Sequence, residues 1–288
     1  MDKKKRIKIQ KGVRWGIQLV FLITSPALFT SAFSGIKYIF RQFADGELLA
    51  WNSFLAALVT LSLFTMVFGR FFCGYACAFG TLGDLVYTLS QRIQKRCRKK
   101  MSSVPEGADK LLKKLKYLIL AGVAGTILFG IYDNFGGSSP WDVFSMLTSL
   151  RQPQKDYLMG VILLVLIVMG MAWEQRFFCK YLCPMGAVFS LLPVFPKFLY
   201  QRERDNCILG CSACKRMCPV KLDIDGDTRE SEECIQCNYC AEVCPKGNIS
   251  MGLFERIGKG KLKGNEIWFV LGKAAVLFGI CFLLGLTR

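Results

Sequence analysis

Five apolar blocks, at 13–33, 48–68, 115–132, 157–173 and 266–286, stand out along the chain. Each is near the ~20 residues an α-helix needs to cross the hydrocarbon of a bilayer. A buried core helix would account for one such block, but it is a poor account of five. The pattern therefore predicts an α-helical polytopic membrane protein of about five transmembrane helices, the first four forming two related hairpins. Stretches 81–93 and 187–200 mix apolar residues with Gly, Pro and a few polar groups, so they read as interfacial or re-entrant segments. Residues 201–250 change character and become polar and cysteine-dense. The expected division is a membrane module over 1–200, a small domain over 201–255 and a fifth helix over 256–288.

An internal repeat follows the second and fourth blocks. Arg70-Phe71-Phe72-Cys73-Gly74-Tyr75-Ala76-Cys77-Ala78-Phe79-Gly80 matches Arg176-Phe177-Phe178-Cys179-Lys180-Tyr181-Leu182-Cys183-Pro184-Met185-Gly186 as R-F-F-C-x-Y-x-C-x-x-G. Two copies at equivalent ends of two hairpins imply a pseudo-twofold axis.

Charge sets the expected orientation. The chain carries 38 Lys and Arg against 21 Asp and Glu, a net charge of +17. The basic residues gather in Lys3, Lys4, Lys5, Arg6, Lys8, Lys11 and Arg14 and in ten positions over 92–116, whereas 34–47 and 132–156 hold two each. This is the positive-inside bias. It places the N-terminus and 174–265 on the cytoplasmic side of a multi-pass protein of the cell's inner membrane. The basic segments suit anionic lipid, and nucleic acid is not needed as a partner. The basic start followed by an apolar block, with no small-residue cleavage site, reads as an uncleaved first helix. Histidine is absent, which excludes imidazole-ligated haem, a Rieske centre and a histidine proton relay.

Fourteen cysteines on the reducing side read as metal ligands before disulfides. Eight form two runs, Cys207, Cys211, Cys214 and Cys218 followed by Pro219, and Cys234, Cys237, Cys240 and Cys244 followed by Pro245. The second run has the bacterial ferredoxin spacing, in which the fourth cysteine ligates the neighbouring cluster. By that rule Cys207, Cys211, Cys214 and Cys244 hold one [4Fe–4S] cluster, and Cys234, Cys237, Cys240 and Cys218 the other. The first run has one extra residue between Cys207 and Cys211, a link that Gly210 can absorb. Two zinc sites are the bland alternative, but they need neither a third close cysteine nor two Cys-Pro ends. Residues 201–255 are thus expected to be a small α+β ferredoxin-like domain with two clusters. The acidic stretch 223–227 lacks the EF-hand layout and reads as a turn.

The repeat contributes a second set, Cys73, Cys77, Cys179 and Cys183. Spacing of four residues puts each pair on one helix face, and the pseudo-twofold relation lets the two faces meet. Three readings stand: ligands of an iron–sulfur centre or another thiophilic metal, redox-active dithiols, or small apolar packing residues. Cys97 and Cys281 read as a free thiol and a packed or lipid-facing residue.

With these motifs in view, the chain resembles the NapH family of membrane ferredoxins and the related MauN and NosR-type proteins, over about residues 10–255. The resemblance implies an electron-transfer component that draws electrons from membrane quinol or passes them toward a reductase. Two departures are Ala78, where the second copy has Pro184, and the fifth block. The expected function is a membrane-bound relay between the quinone pool or a soluble donor and a partner redox subunit. As part of a quinol dehydrogenase it would release protons through carboxylates such as Asp133, Asp142 or Glu174, which otherwise read as ordinary interfacial charges. The alternative is a metal-reducing maturation factor for a respiratory metalloenzyme, a reading that the resemblance to cytochrome oxidase accessory proteins supports.

Overall fold

The apolar block 13–33 is not one helix. In the computed structural model, which describes residues 3–98, 104–132, 137–148, 155–195, 198, 200–202, 207–222, 233–251 and 265–287, α1 (Lys3–Thr24) and α2 (Leu28–Asp45) meet at a bend of 63°. Pro26 is the cause. It offers no backbone N–H and disfavours helical geometry at Ser25 before it. The polypeptide leaves α2 through Gly46 in the left-handed region and enters α3 (Ser53–Phe68) at Asn52, whose side chain accepts the Leu55 N–H at 2.8 Å. Where α2 crosses α3, a β-carbon on Gly35 would stand 2.5 Å from the Phe54 carbonyl oxygen. Only a residue without a side chain permits that approach.

The first repeat motif forms the short helix α4 (Phe71–Tyr75) and opens α5 (Ala78–Arg96). Helices α6 (Glu106–Leu112), α7 (Leu115–Leu128), α8 (Pro140–Thr148) and α9 (Leu158–Trp173) follow. The second motif then forms a π-helical turn (Phe178–Leu182) and opens α10 (Pro184–Leu191). Packing corrects the expected hairpins. Helix α9 pairs with α8, while α7 lies against α10, the π turn and α2. The repeat unit therefore has three helices before its motif. Helix α1 sits on α4 and α5 as α7 sits on the π turn and α10, and α2 pairs with α3 as α8 pairs with α9. The break after Thr24 hides this third member in the first unit, because an uninterrupted apolar stretch reads as one helix, and in the second unit α8 is short and only moderately apolar.

At the contact between units, Phe79 stacks on Phe178 at 4.7 Å and meets Phe144 at 4.2 Å and Phe29 at 5.4 Å. Outward faces are apolar as well. On α9, Leu158, Met159, Ile162, Val165, Leu166 and Met169 are 48–65% exposed. Among the described residues no single helix is long and apolar enough to cross a membrane, but α1 and α2 meet that test together across their bend.

The cysteine-dense part consists of short helices at Ala213–Met217 and Tyr239–Val243, packed on each other, and a two-stranded antiparallel sheet pairing β1 (Tyr200–Arg202) with β2 (Ile249–Met251). It is not a detached lobe. Tyr239–Val243 packs on α1, and the helix Asn265–Leu283 returns to pack on α1 and α3.

Candidate redox site

Each repeat uses its second cysteine to start a helix. Cys77 and Cys183 are the N-caps of α5 and α10, with nearly equal backbone angles. The Cys183 sulfur accepts the Gly186 N–H at 3.2 Å, whereas Cys77 makes no such cap hydrogen bond. In the second copy the glycine that closes R-F-F-C-x-Y-x-C-x-x-G is thus the N3 donor to the cysteine cap, and the place of both cysteines at a helix N-terminus favours a thiolate. This corrects the expectation that each pair shares a helix face. The helix stops at Tyr75 in the first copy, and Cys77 reaches its place through the cap.

The arginines of the two copies are exchanged. A β-carbon on Gly80 would lie 2.2 Å from Nη1 of Arg176, and one on Gly186 would lie 3.0 Å from Nη2 of Arg70. Arg176 donates to the Cys73 carbonyl at 2.6 Å and reaches toward the Cys179 sulfur at 4.0 Å. Arg70 acts electrostatically on Cys73, Cys183 and Cys179. Four thiols, each only 5–6% exposed, are therefore gathered between two buried guanidinium groups. Burial pushes the Cys73, Cys77 and Cys183 thiols up, and repulsion from neighbouring cysteines pushes them further. To be ligands they must lose their protons, so a cationic centre among them would relieve the repulsion. Among the described residues no three His, Cys, Asp or Glu side chains lie close enough to hold one metal ion. The several irons of a cluster accept ligands set further apart than a single ion does.

Buried charges brace this core. Asp84 on α5 accepts from Arg14 at 2.7 Å, from Arg176 at 2.6 Å and from Gln18 at 2.8 Å. Burial opposes its charge, but the two guanidinium groups outweigh it and hold the carboxyl below its ordinary range. Arg70 pairs with Glu233 at 2.6 Å, and Lys116 pairs with the same carboxylate. Burial again works against that charge, and the two cations hold Glu233 down at about 2. The copies diverge at one position. Gly74 lies against the Ile235 carbonyl oxygen, 2.2 Å from where a β-carbon would be, whereas Lys180 in the other copy pairs with Asp109 at 2.7 Å and Glu174 at 3.1 Å. In the first copy the backbone of Ile235 takes the space that a side chain at this position would fill, so glycine is required there.

In the cysteine-dense segment Cys207, Cys211, Cys214 and Cys244 line one pocket with Arg202, Lys246 and Asn248. Arg202 Nε donates to the Cys207 sulfur at 3.3 Å and the Asn248 N–H to the Cys244 sulfur at 3.4 Å. Cys218, Cys234, Cys237 and Cys240 form a second group whose charges act on one another. Burial raises Cys218 to about 11 and Cys234 to about 12. Gln236 and Asn238 take positive φ angles, which coil the loop around its sulfurs, and the Gln236 N–H donates to the Cys234 sulfur at 3.4 Å. Soft donors in fours, backed by N–H groups aimed at sulfur, fit an iron–sulfur cluster at each place.

Of the carboxylates weighed as proton carriers, Glu174 is buried and paired with Lys180 and Lys221 at 3.1 and 2.9 Å, Asp142 is half-buried, and Asp133 lies outside the described residues, as does 223–227. Cys97 is exposed and Cys281 buried. Sequence reading missed Arg14, Asp84 and Glu233. Arg14 and Asp84 had a signal, a charge inside the apolar stretches 13–33 and 81–93, where an ion must find a partner, while Glu233 in the polar run 228–234 had none.

The comparisons cover the two repeat copies and the second ferredoxin run. A family model described as a 4Fe-4S binding domain matches twice, at 50–97 and 156–201, each match carrying one copy of the repeat, and a second 4Fe-4S binding domain matches 228–250. An uncharacterized protein of Methanocaldococcus jannaschii is 29% identical over 87% of this chain and 97% of its own length. YccM of Escherichia coli, named provisionally for electron transport, is 27% identical over 65% of this chain and 52% of its own. The methylamine utilization ferredoxin-type protein MauN of Methylobacillus flagellatus is 24% identical over 66% of this chain and 61% of its own. No solved structure matches.

Proposed function

We propose that this chain, one of the ferredoxin-type 4Fe–4S proteins, is a membrane-bound relay that carries single electrons between the quinone pool or a soluble donor and a partner redox enzyme. Bound [4Fe–4S] clusters supply the reversible one-electron chemistry. The residues do the rest. Cys207, Cys211, Cys214 and Cys244 hold the centre nearest the surface, with Arg202 and Lys246 beside it. Cys234, Cys237, Cys240 and Cys218 hold the next, and Cys73, Cys77, Cys179 and Cys183 a further iron–sulfur centre between the two repeats. The observation that carries this reading is the contact of Ile235 with Gly74, which sets a neighbour of Cys234 against a neighbour of Cys73 and so makes the groups consecutive.

Membrane insertion is supported by the exposed apolar side chains of α9, and by those of α1 and α3, such as Ile23 and Leu63. A surface of that kind is stable against lipid and costly against water. The positive-inside bias then leaves the ferredoxin part on the cytoplasmic side. The alternative is a metal-reducing maturation factor for a respiratory metalloenzyme, in which Cys73, Cys77, Cys179 and Cys183 would be the transfer ligands, soft donors suited to Cu(I). The reading is tested by iron, sulfide and zinc analysis of anaerobically purified protein with low-temperature paramagnetic resonance on reduction. Iron with a reduced-cluster signal is expected. Zinc in its place, without a signal, overturns the relay.

A further inference from the structure

The C-terminal helix carries a cation into the interior without a counter-ion of its own. Lys273 is 2% exposed, and its ammonium has no hydrogen-bond partner among the described residues. It lies over the rings of Phe71 and Phe269 at 5.0 and 4.8 Å. Ring attraction of this kind is smaller than the cost of taking an ammonium out of water, and a lysine stem on an outer face would carry the charge to solvent instead. An ammonium held there stays charged only where an anionic group completes the site. Phe269 in turn stacks on Phe198 at 6.1 Å, and the Phe198 carbonyl accepts from the Gln236 side chain at 3.1 Å, which ties the site of Lys273 to the loop that carries Cys234. Phe71 fixes the arrangement from the other side, since it begins the first repeat motif and stacks on Tyr75 at 4.3 Å with planes 12° apart.

We propose that Lys273 is a positioning residue that sets the potential of the iron–sulfur centre held by Cys218, Cys234, Cys237 and Cys240, its ammonium favouring the more negative, reduced form. The inference rests on the relay reading for the presence of that centre. It also gives the last helix a task that the repeats do not perform: with an anionic centre beside it, its ammonium brings a positive charge to the middle of the chain of centres, and so draws electrons toward the contact with Gly74.

The test is a redox titration of the purified full chain, followed by paramagnetic resonance, for wild type, Lys273→Met and Lys273→Arg. Lys273→Met is expected to keep its iron and shift the potential of one centre to a more negative value, while Lys273→Arg stays close to wild type. Should Lys273→Met fail to load the centre, Lys273→Gln serves as the neutral variant. Equal potentials in the wild type and the neutral variants overturn the role of Lys273 and leave the relay intact. A wild type with no cluster on these cysteines overturns both.

Discussion

The carbonyl oxygen of Ile235 stands where it would be 2.2 Å from a β-carbon on Gly74. One residue lies between two thiols of the repeat and the other between two thiols of the second ferredoxin run, so this contact joins the two halves of the molecule. The obstacle at Gly74 is backbone, which cannot swing aside as a flexible side chain can. Replacing Gly74 by Val is expected to cost at least the ~1–3 kcal/mol of an overpacked core and to part the two groups. Iron content should stay near wild type while transfer from the reduced protein to an added acceptor slows. Equal rates would show that the contact carries no electrons.

Asp84 is shared by two arginines, Arg14 and Arg176, whose side chains are almost wholly buried. Asp84→Asn leaves both uncompensated, and removing one partner from a buried ion pair costs about 3–5 kcal/mol. A lowered thermal midpoint is expected, larger than for Lys215→Ala, whose pair with Glu106 is exposed.

The exchange of Arg70 and Arg176 gives a sharper expectation. Because each reaches into the other copy, Arg70→Gln and Arg176→Gln should both weaken iron binding at the repeat cysteines, and lysine should rescue poorly, since it lacks the planar fork that reaches two acceptors. Metal analysis of the variants checks this. Loss in only one of them would mean that the copies do not share a site.

Cysteine chemistry was legible in the sequence because ligand spacing is local. Both ferredoxin runs and the duplicated motif could be read from residue types alone. The three-helix repeat unit was not legible, because Pro26 divides a stretch that hydropathy presents as continuous, and because α8 is short and only moderately apolar. The exchanged arginines and the role of Asp84 depend on contacts between residues about a hundred positions apart in the chain, such as Arg176 and Cys73. No window on the sequence contains them. The closing glycines were visible as pattern, and their reason lies in the arginine of the opposite copy.

Orientation has its own check. With the N-terminus inside and five crossings, reporter fusions after Arg96 and after Thr287 are expected to report opposite sides of the membrane. Matching reports would remove the fifth crossing and place Lys273 on an interfacial helix.

The central claim is that the four repeat thiols form one shared centre in line with the two ferredoxin centres. Iron and acid-labile sulfide per chain, measured anaerobically in wild type, Cys73→Ser and Cys179→Ser, test it most directly. Serine keeps the size of cysteine but is a poorer ligand for a soft metal. The account predicts more iron in the wild type than two [4Fe–4S] clusters hold, with the excess lost to the same extent in either variant and the two ferredoxin signals kept. Iron that matches two clusters in all three proteins would contradict it and leave Cys73, Cys77, Cys179 and Cys183 as packing residues.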